Sequence, residues 1–362
     1  MDKLGYAIIG CGRVSRHHAQ AISKLNDARL AAVADQDIEK ARRVACDGEI
    51  KPTVYGDYDD LLADKSVDVV VIAIPTHLHR DLAVAAAEAG KHTYCEKAMA
   101  ASMRQCREMI DAARRRGVKL VIGQSTRFQP ACIMARRLID DGAIGQVFAV
   151  DAQFATVAEP PSRGATDSWR YRAGSAGNGH VINFGCHYID TARFFAGQDP
   201  ASVSAYIGNL FSKGMIYEDQ FCIMCTCDRG AVIAISLFSS LSGTRSPDEG
   251  YTVRGTDGII TVNWPARRVA LIRDENTREA VEIGEDLLAE DGFTRLHRLF
   301  RRAIEEDAEV PLTGEMGMKN VEWGLAAYLS NERRRWIDLP LGDEHEDFTG
   351  PVLDATLPAT RE

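Results

Sequence analysis

The chain has 362 residues, 45% apolar and 26% charged, which excludes a disordered or low-complexity protein and predicts about two folded domains. A total of 43 basic against 52 acidic residues leaves a net charge of −9, which argues against a nucleic-acid footprint. No apolar run approaches the ~18–20 residues of a membrane helix, and Met1-Asp2-Lys3-Leu4-Gly5 does not open a signal peptide, so a soluble cytoplasmic protein is expected.

Apolar runs, mostly β-branched or aromatic, at 4–9, 30–34, 67–74, 92–95 and 118–122 read as strands. Helical patterns lie between them, among them 38–46, 82–89 and 103–116. The last has visible ends, with Ser102 and Gln105 as a capping box and Gly117 as the stop. Near-continuous apolar strands separated by amphipathic helices predict a doubly wound parallel sheet, a Rossmann-type α/β domain over residues 1–125.

From about residue 147 the rhythm changes. Residues 147–157 alternate, a polar loop rich in Pro, Ser, Gly and Arg follows over 160–179, and a single helical segment is expected over 181–195. Runs 220–227 and 231–238 flank Asp228-Arg229-Gly230, and runs 251–254 and 259–262 flank Asp257-Gly258. Such turns predict antiparallel hairpins. Helical stretches over 294–305 and 316–334 come late. The expectation is a second α/β domain over 126–338 with an open, mostly antiparallel sheet and helices on one face. An acidic C-terminal arm follows over 339–362.

Nine cysteines, an odd number in a long chain, do not read as a disulfide framework. Cys222, Cys225 and Cys227 share one apolar run with no second Cys or His pair nearby. Structural zinc needs about four ligands. All three are expected in the core, and no metal is expected.

Gly10, Gly12 and Ser15 place Gly-x-Gly-x-x-Ser directly after the first strand. The first glycine suits the tight turn, the second lets backbone approach a pyrophosphate at a helix N-terminus, and the small Ser15 suits helix–strand packing with a hydroxyl that can reach a phosphate. Asp35 ends the second strand, where a carboxylate reads the ribose hydroxyls of a dinucleotide. That favours NAD over NADP. The neighbouring Gln36 carries no charge, and Lys40, Arg42 and Arg43 on the next helix are expected to face solvent.

Further motifs follow in order: Pro75-Thr76-His77-Leu78-His79, Glu96-Lys97, Arg127-Phe128, and Gly179-His180-Val181-Ile182-Asn183-Phe184-Gly185-Cys186-His187-Tyr188-Ile189-Asp190. In order and spacing, over roughly residues 3 to 338, the set resembles the Gfo/Idh/MocA family of NAD(P)-dependent sugar and cyclitol oxidoreductases. The resemblance implies cofactor contacts at Gly10, Gly12, Arg13, Val14, Asp35, Pro75, Thr76, His79, Glu96 and Lys97. It implies a homodimer or homotetramer formed through the open sheet, with no nucleic-acid or membrane partner. Two departures stand out. Ala98 replaces the proline that family members carry after the lysine. Asn183 replaces the Asp of inositol-dehydrogenase-like members, which puts inositol itself in doubt as substrate.

The residue types suit oxidation of a secondary alcohol, in which hydride leaves carbon for nicotinamide and the hydroxyl proton goes to a base. His187, with an imidazole that ordinarily titrates near ~6.5, is the candidate base. Lys97 is the candidate for stabilising alkoxide charge. Asn183, four residues earlier, is expected on the same helix face as His187. Asp190, one turn later, is expected to orient His187 or bond a sugar hydroxyl. His79 suits packing or a helix start better than base chemistry, and His17 and His18 open the first helix near the phosphates. In the polar loop, Arg163, Trp169 and Arg170 are candidate substrate contacts beside Arg127, Lys97, Asn183 and His187, since arginine pairs with anionic groups and aromatic rings flank sugars. The leading expectation is an NAD-dependent oxidoreductase acting on a sugar, glycoside, nucleotide-sugar or cyclitol. The alternatives are an NAD-dependent glycosidase working by transient oxidation and elimination, and a non-catalytic cofactor-sensing regulator. Lys97 and His187 together argue against the last.

Overall fold

Strands apolar on both faces need cover on both, and the first part of the chain supplies it by alternating strand and helix. The structure, a computed structural model, describes residues 3–46, 51–157, 179–209, 218–240, 249–274 and 277–350. The chain divides into two compact units, residues 1–125 with 290–319, and residues 126–289 with 320–362.

The first unit opens with β1 (Leu4–Ile9), α1 (Ser15–Ser23), β2 (Ala28–Ala34), α2 (Ile38–Cys46), β3 (Thr53–Tyr55) and α3 (Tyr58–Leu62). It continues through β4 (Val69–Ile72), α4 (His79–Glu88), β5 (His92–Glu96), α5 (Met103–Arg116) and β6 (Leu120–Gly123). All strand pairs are parallel, in the order β3-β2-β1-β4-β5-β6. The order reverses at β1, so the crevice beyond its carboxyl end is where such sheets bind ligands. α5 ends as expected: Ser102 Oγ accepts the Gln105 N–H at 3.3 Å, and Gly117 sits at φ 64°. Two short elements, β3 and α3, went unrecognised in the sequence because three to five residues carry too little periodicity.

The second unit contains α6 (Pro130–Asp140), β7 (Val147–Val157), α7 (His180–Asn183), α8 (Gly185–Ala196), β8 (Pro200–Gly208), β9 (Gln220–Cys227) and β10 (Val232–Ser240). Then come β11 (Gly250–Gly255), β12 (Gly258–Asn263), β13 (Arg268–Asp274), β14 (Thr277–Val281) and α9 (Glu285–Leu288). α10 (Gly292–Glu305) belongs to the first unit, α11 (Gly314–Arg333) runs from the first into the second, and β15 (Ile337–Asp338) closes the sheet. The strand order is β14-β13-β12-β11-β7-β10-β9-β8-β15, antiparallel throughout except for the parallel β7–β10 pair. Phe154 stacks on Tyr188 and, with Phe195, packs edge-on to Tyr251, which seats α8 against the sheet.

The structure departs from three sequence expectations and adds contacts at the start of the C-terminal arm. Residues 290–319 join the first unit rather than the second. Phe293 stacks on His17, Phe300 meets Tyr94, and the Ile122 N–H donates to the Leu312 carbonyl at 3.1 Å. The helix expected over 181–195 breaks at Phe184 into α7 and α8. β9 alternates: Cys225 and Cys227 are buried but Cys222 is exposed, so Cys222 is not a core residue. The arm after residue 338 is anchored at its start, with the Leu339 N–H donating to the Ala201 carbonyl at 2.8 Å and the Leu341 N–H to Glu322 Oε1 at 2.8 Å. Its residues 351–362 lie outside those described. Among the described residues no helix is long and apolar enough to cross a membrane, and no cluster of His, Cys, Asp or Glu is placed to hold a metal ion.

Candidate functional site

The turn after β1 is built for close approach. Gly10 has φ +96°, and a Cβ there would run into the Ala73 carbonyl, so only glycine fits. The Cys11 N–H donates to Asp35 Oδ2 at 2.7 Å and the Asp37 N–H to Asp35 Oδ1 at 2.8 Å. The carboxylate at the end of β2 is thereby held against the glycine turn. At Gly12 an added Cβ would meet nothing within 4 Å, which leaves an open cradle at the N-terminus of α1 beside exposed Arg13 and half-buried Val14. An open glycine turn at a helix N-terminus, with a fixed carboxylate beside it, fits the pyrophosphate and ribose of a dinucleotide. Ser15 does not face this cradle. It is buried and its hydroxyl donates to the Gly12 carbonyl at 2.6 Å, so it shapes the turn rather than meeting a phosphate. Burial, with Asp35 nearby, pushes the Cys11 thiol up to about 12, which makes it inert at the cradle.

Pro75 ends the loop after β4 and precedes a short 3₁₀ turn, Thr76–Leu78, in which Thr76 is buried. The reading of His79 as a cofactor contact is corrected. Its ring is fully buried, with Nδ1 2.9 Å from the Ala98 carbonyl and Nε2 2.9 Å from the Ile74 carbonyl. Burial holds it below the ordinary imidazole range. It ties the end of β4 to the turn after Lys97, the turn in which Ala98 replaces proline. The Lys97–Ala98 peptide is cis. Glu96, the last residue of β5, is buried, and half-buried Lys97 follows it.

In the second unit, His187 is half-buried in the first turn of α8, and Asn183, also half-buried, ends α7. The break at Phe184 means the two do not share one continuous helix, as the four-residue spacing suggested. Gly185 opens α8 against the Phe221 ring, where a Cβ would come within 3.2 Å of Cζ. The His187 Nδ1 lies 3.1 Å from Thr126 Oγ1. Thr126 therefore orients the imidazole, a role the sequence reading assigned to Asp190.

Asp190 and Arg127 serve each other. The Arg127 Nε donates to Asp190 Oδ2 at 2.6 Å and its Nη2 to Oδ1 at 2.5 Å, while Asn320 Nδ2 donates to Oδ1 at 2.8 Å. Asp190 is 1% exposed. The catalytic reading of Asp190 and the substrate reading of Arg127 are thus replaced by a buried, bidentate ion pair beneath α8. Asn320 also accepts from Arg193 Nη1 at 2.6 Å, so α11 is laced to α8 at this point.

Glu218 was not legible as a site residue. Its Oε1 accepts from the Val181 N–H and from the Tyr328 hydroxyl, both at 2.6 Å, and so caps the helix that ends at Asn183. Burial pushes this carboxyl up from its ordinary range. Arg163, Trp169 and Arg170 lie outside the described residues.

Residues 4–124 match the oxidoreductase family with an NAD-binding Rossmann fold, and residues 133–261 match the GFO/IDH/MocA C-terminal domain. The chain is 29% identical over 360 residues to an inositol 2-dehydrogenase from Rhizobium meliloti, covering 92% of this chain and 98% of that protein. It is 26% identical over 354 residues to a 2,7-anhydro-N-acetylneuraminate hydratase from Mediterraneibacter gnavus, covering 98% and 90% respectively. Among solved structures, aldose-aldose oxidoreductase from Caulobacter crescentus in complex with glycerol matches with a TM-score of 0.81 at 27% identity, over 93% of this chain and 100% of that one.

Proposed function

Since the chain belongs to the Gfo/Idh/MocA family of oxidoreductases and its first unit is an NAD-binding domain, we propose that it interconverts a secondary hydroxyl and a ketone on a sugar, glycoside, nucleotide-sugar or cyclitol. Bound in the cradle after β1, NAD supplies the hydride acceptor and donor. The observation that carries the reading is His187. On a helix whose residues from Gly185 to Ala196 are otherwise buried except for Phe194, it stays half-buried with Nδ1 on Thr126. With Nδ1–H donating to Thr126 Oγ1, Nε2 carries the lone pair that takes the hydroxyl proton. Lys97 is the residue proposed to stabilise alkoxide charge as it develops in the reaction. Gly10, Gly12, Arg13, Val14, Asp35, Pro75, Thr76 and Glu96 hold the cofactor, and Asn183 contributes a neutral amide to the substrate side. A cofactor sensor has no need of an oriented imidazole.

A panel of sugars and cyclitols, with myo-inositol and 1,6-anhydro sugars included, tests the proposal by absorbance of NADH. Accumulating NADH with at least one member supports net oxidation. The hydratase and aldose-aldose names among the similar proteins favour a second reading, redox-neutral turnover on cofactor that is not released. That reading expects product without net NADH, followed by chromatography of the sugar. The described cysteines form no disulfide, which suits a reducing, cytoplasmic setting.

NAD is expected to be preferred over NADP by about 10–100-fold in kcat/KM. The 2′-phosphate would bring like charge against the fixed Asp35 carboxylate. The cations on α2 offer it little compensation. Lys40 Nζ lies 3.5 Å from Asp37, Arg42 Nη1 2.5 Å from Glu39, and Arg43 Nε donates to the Glu39 carbonyl at 3.2 Å. Comparing both cofactors in wild type and Asp35→Ala tests it. Equal efficiencies in wild type, or no relaxation in the variant, remove Asp35 as the reader.

A homodimer or homotetramer formed through the open sheet is also expected. Across β8, β9, β10 and β7 the paired residues Ser204, Met224, Ala234 and Asp151, and Tyr206, Cys222, Ser236 and Gln153, form two rows. Tyr206 and Met224 are 49% and 48% exposed, and Val232 and Phe238 are also exposed. Large exposed side chains on a flat sheet face call for a covering partner. Light scattering at micromolar concentration checks this, and Met224→Lys should shift the assembly towards monomer. A monomeric wild type would sink it.

A further inference from the structure

We infer that His18 and His297 form a buried chain that positions the Glu96 carboxylate for the cofactor. This rests on the reading of Glu96 as a cofactor contact. All three residues belong to the first unit, and both histidines are fully buried. His18 Nδ1 lies 2.9 Å from His297 Nε2, and His18 Nε2 lies 3.1 Å from Glu96 Oε1. The two atoms face each other as an ion-pair contact without hydrogen-bond alignment, and neither has a hydrogen-bond partner elsewhere among the described residues. Glu96 Oε2 is 3.3 Å from its neighbour's Lys97 N–H.

The protons in this chain have a direction. His297 is held well below the ordinary imidazole range by burial and by His18 beside it, so it is neutral and carries one N–H. Its Nδ1 meets no partner among the described residues, whereas its Nε2 faces His18. Placing the hydrogen on Nε2 makes a hydrogen bond in which His18 Nδ1 accepts. His18 then carries its own hydrogen on Nε2, the nitrogen facing Glu96. The rings are fixed by packing: Tyr94 stacks on His297 at 4.4 Å and meets His18 edge-on. Gly123, opposite Glu96 on β6, leaves the room, since a Cβ there would come within 2.8 Å of Glu96 Oε1. Gly123 on β6 and His18 on α1 thus meet at one carboxylate oxygen, with His297 of α10 behind His18. A buried carboxylate oxygen without a donor is costly, so losing the chain turns the group away from its place.

The test uses NADH itself as probe, titrated by its fluorescence into wild type, Glu96→Gln, His297→Phe, the double variant and His297→Gln. His297→Phe keeps a ring against Tyr94 and loses the donor; His297→Gln keeps an N–H. Glu96→Gln and His297→Phe are each expected to raise the NADH Kd about tenfold, the loss of one charge-assisted hydrogen bond. The double variant should bind no worse than either single one, because both act through one carboxylate. His297→Gln should stay within about twofold of wild type, well inside that tenfold loss. Additive effects, an unaffected and folded His297→Phe, or a tenfold loss in His297→Gln would each overturn the inference. If Glu96→Gln leaves Kd unchanged, Glu96 is not a cofactor contact, and both that reading and the inference fall. An effect of Glu96→Gln with none from His297→Phe removes the histidine chain alone.

Discussion

Lys97→Ala and His187→Ala are each expected to lower kcat by about 10²–10⁴-fold, the usual contribution of a positioned acid–base or electrostatic group. NADH affinity should change little, because the turn after β1 and Asp35 supply most of the cofactor's anchorage. The two variants are not equivalent in pH dependence. Removing His187 should remove the limb of the kcat/KM profile that reports the free enzyme's base, whereas removing Lys97 should scale the profile without abolishing that limb. Thr126→Val offers a finer version of the same result. It deletes the oxygen 3.1 Å from His187 Nδ1 while keeping the shape, so kcat should fall by less than in His187→Ala. A Lys97→Ala or His187→Ala enzyme that keeps more than about a tenth of the wild-type rate lacks the expected loss, and its assigned role is then wrong.

Asp190→Asn is expected to destabilise the protein by about 3–5 kcal/mol, since it leaves the Arg127 guanidinium buried without its counter-charge. Arg127 is 8% exposed and Asp190 1%, so solvent screens neither. Asn320 loses an ionised acceptor at the same time, and it also bonds Arg193, so the effect spreads along the contact between α8 and α11. Replacing both partners by apolar residues, Arg127→Met with Asp190→Leu, should cost less than either single change, because no charge is stranded. Denaturant midpoints for wild type, Arg127→Met, Asp190→Leu and the double variant form the cycle that isolates the pair. Activity per folded molecule separates the two possible roles of Asp190. A structural partner leaves kcat close to wild type, whereas a catalytic group would lose about 10²-fold or more with little change in midpoint. The second pattern would return Asp190 to the substrate.

The features legible without coordinates are those written by neighbours in the chain. Apolar periodicity marked β1 and β7. Ser102 and Gly117 marked the ends of α5, and Asp228-Arg229-Gly230 marked the β9–β10 hairpin. Gly10 was recognisable as the turn glycine because its φ of +96° and its approach to Ala73 admit no other residue. Asp35 was recognisable because a carboxylate at the end of β2 has one geometry relative to that turn. The resemblance in motif order then pointed to Lys97 and His187. Each of these signals depends on backbone rules acting over a few residues, or on a pattern of residues in fixed order.

Partnership across distance was decided only in three dimensions. Asp190 lies three residues after His187 and was read as its orienter, yet Arg127, 63 positions away, engages it, and Thr126, 61 positions from His187, takes over the orienting role. His18 and His297 are 279 residues apart, and nothing in either local sequence marks them as a pair or returns 290–319 to the first unit. The spacing of Asn183 and His187 suggested one helix, yet it breaks at Phe184, beside Gly185, where a Cβ would come within 3.2 Å of the Phe221 ring. Cys222 and Cys225 share an apolar run but face opposite sides of β9, only one of which is packed. The sequence by itself determined the two fold classes, the dinucleotide turn with its carboxylate reader, and the base and lysine candidates, since local backbone geometry and motif order suffice for these. The tertiary structure alone decided which polar groups pair with one another, because a buried donor or acceptor takes whatever partner the packed chain brings within hydrogen-bonding distance, however remote in sequence.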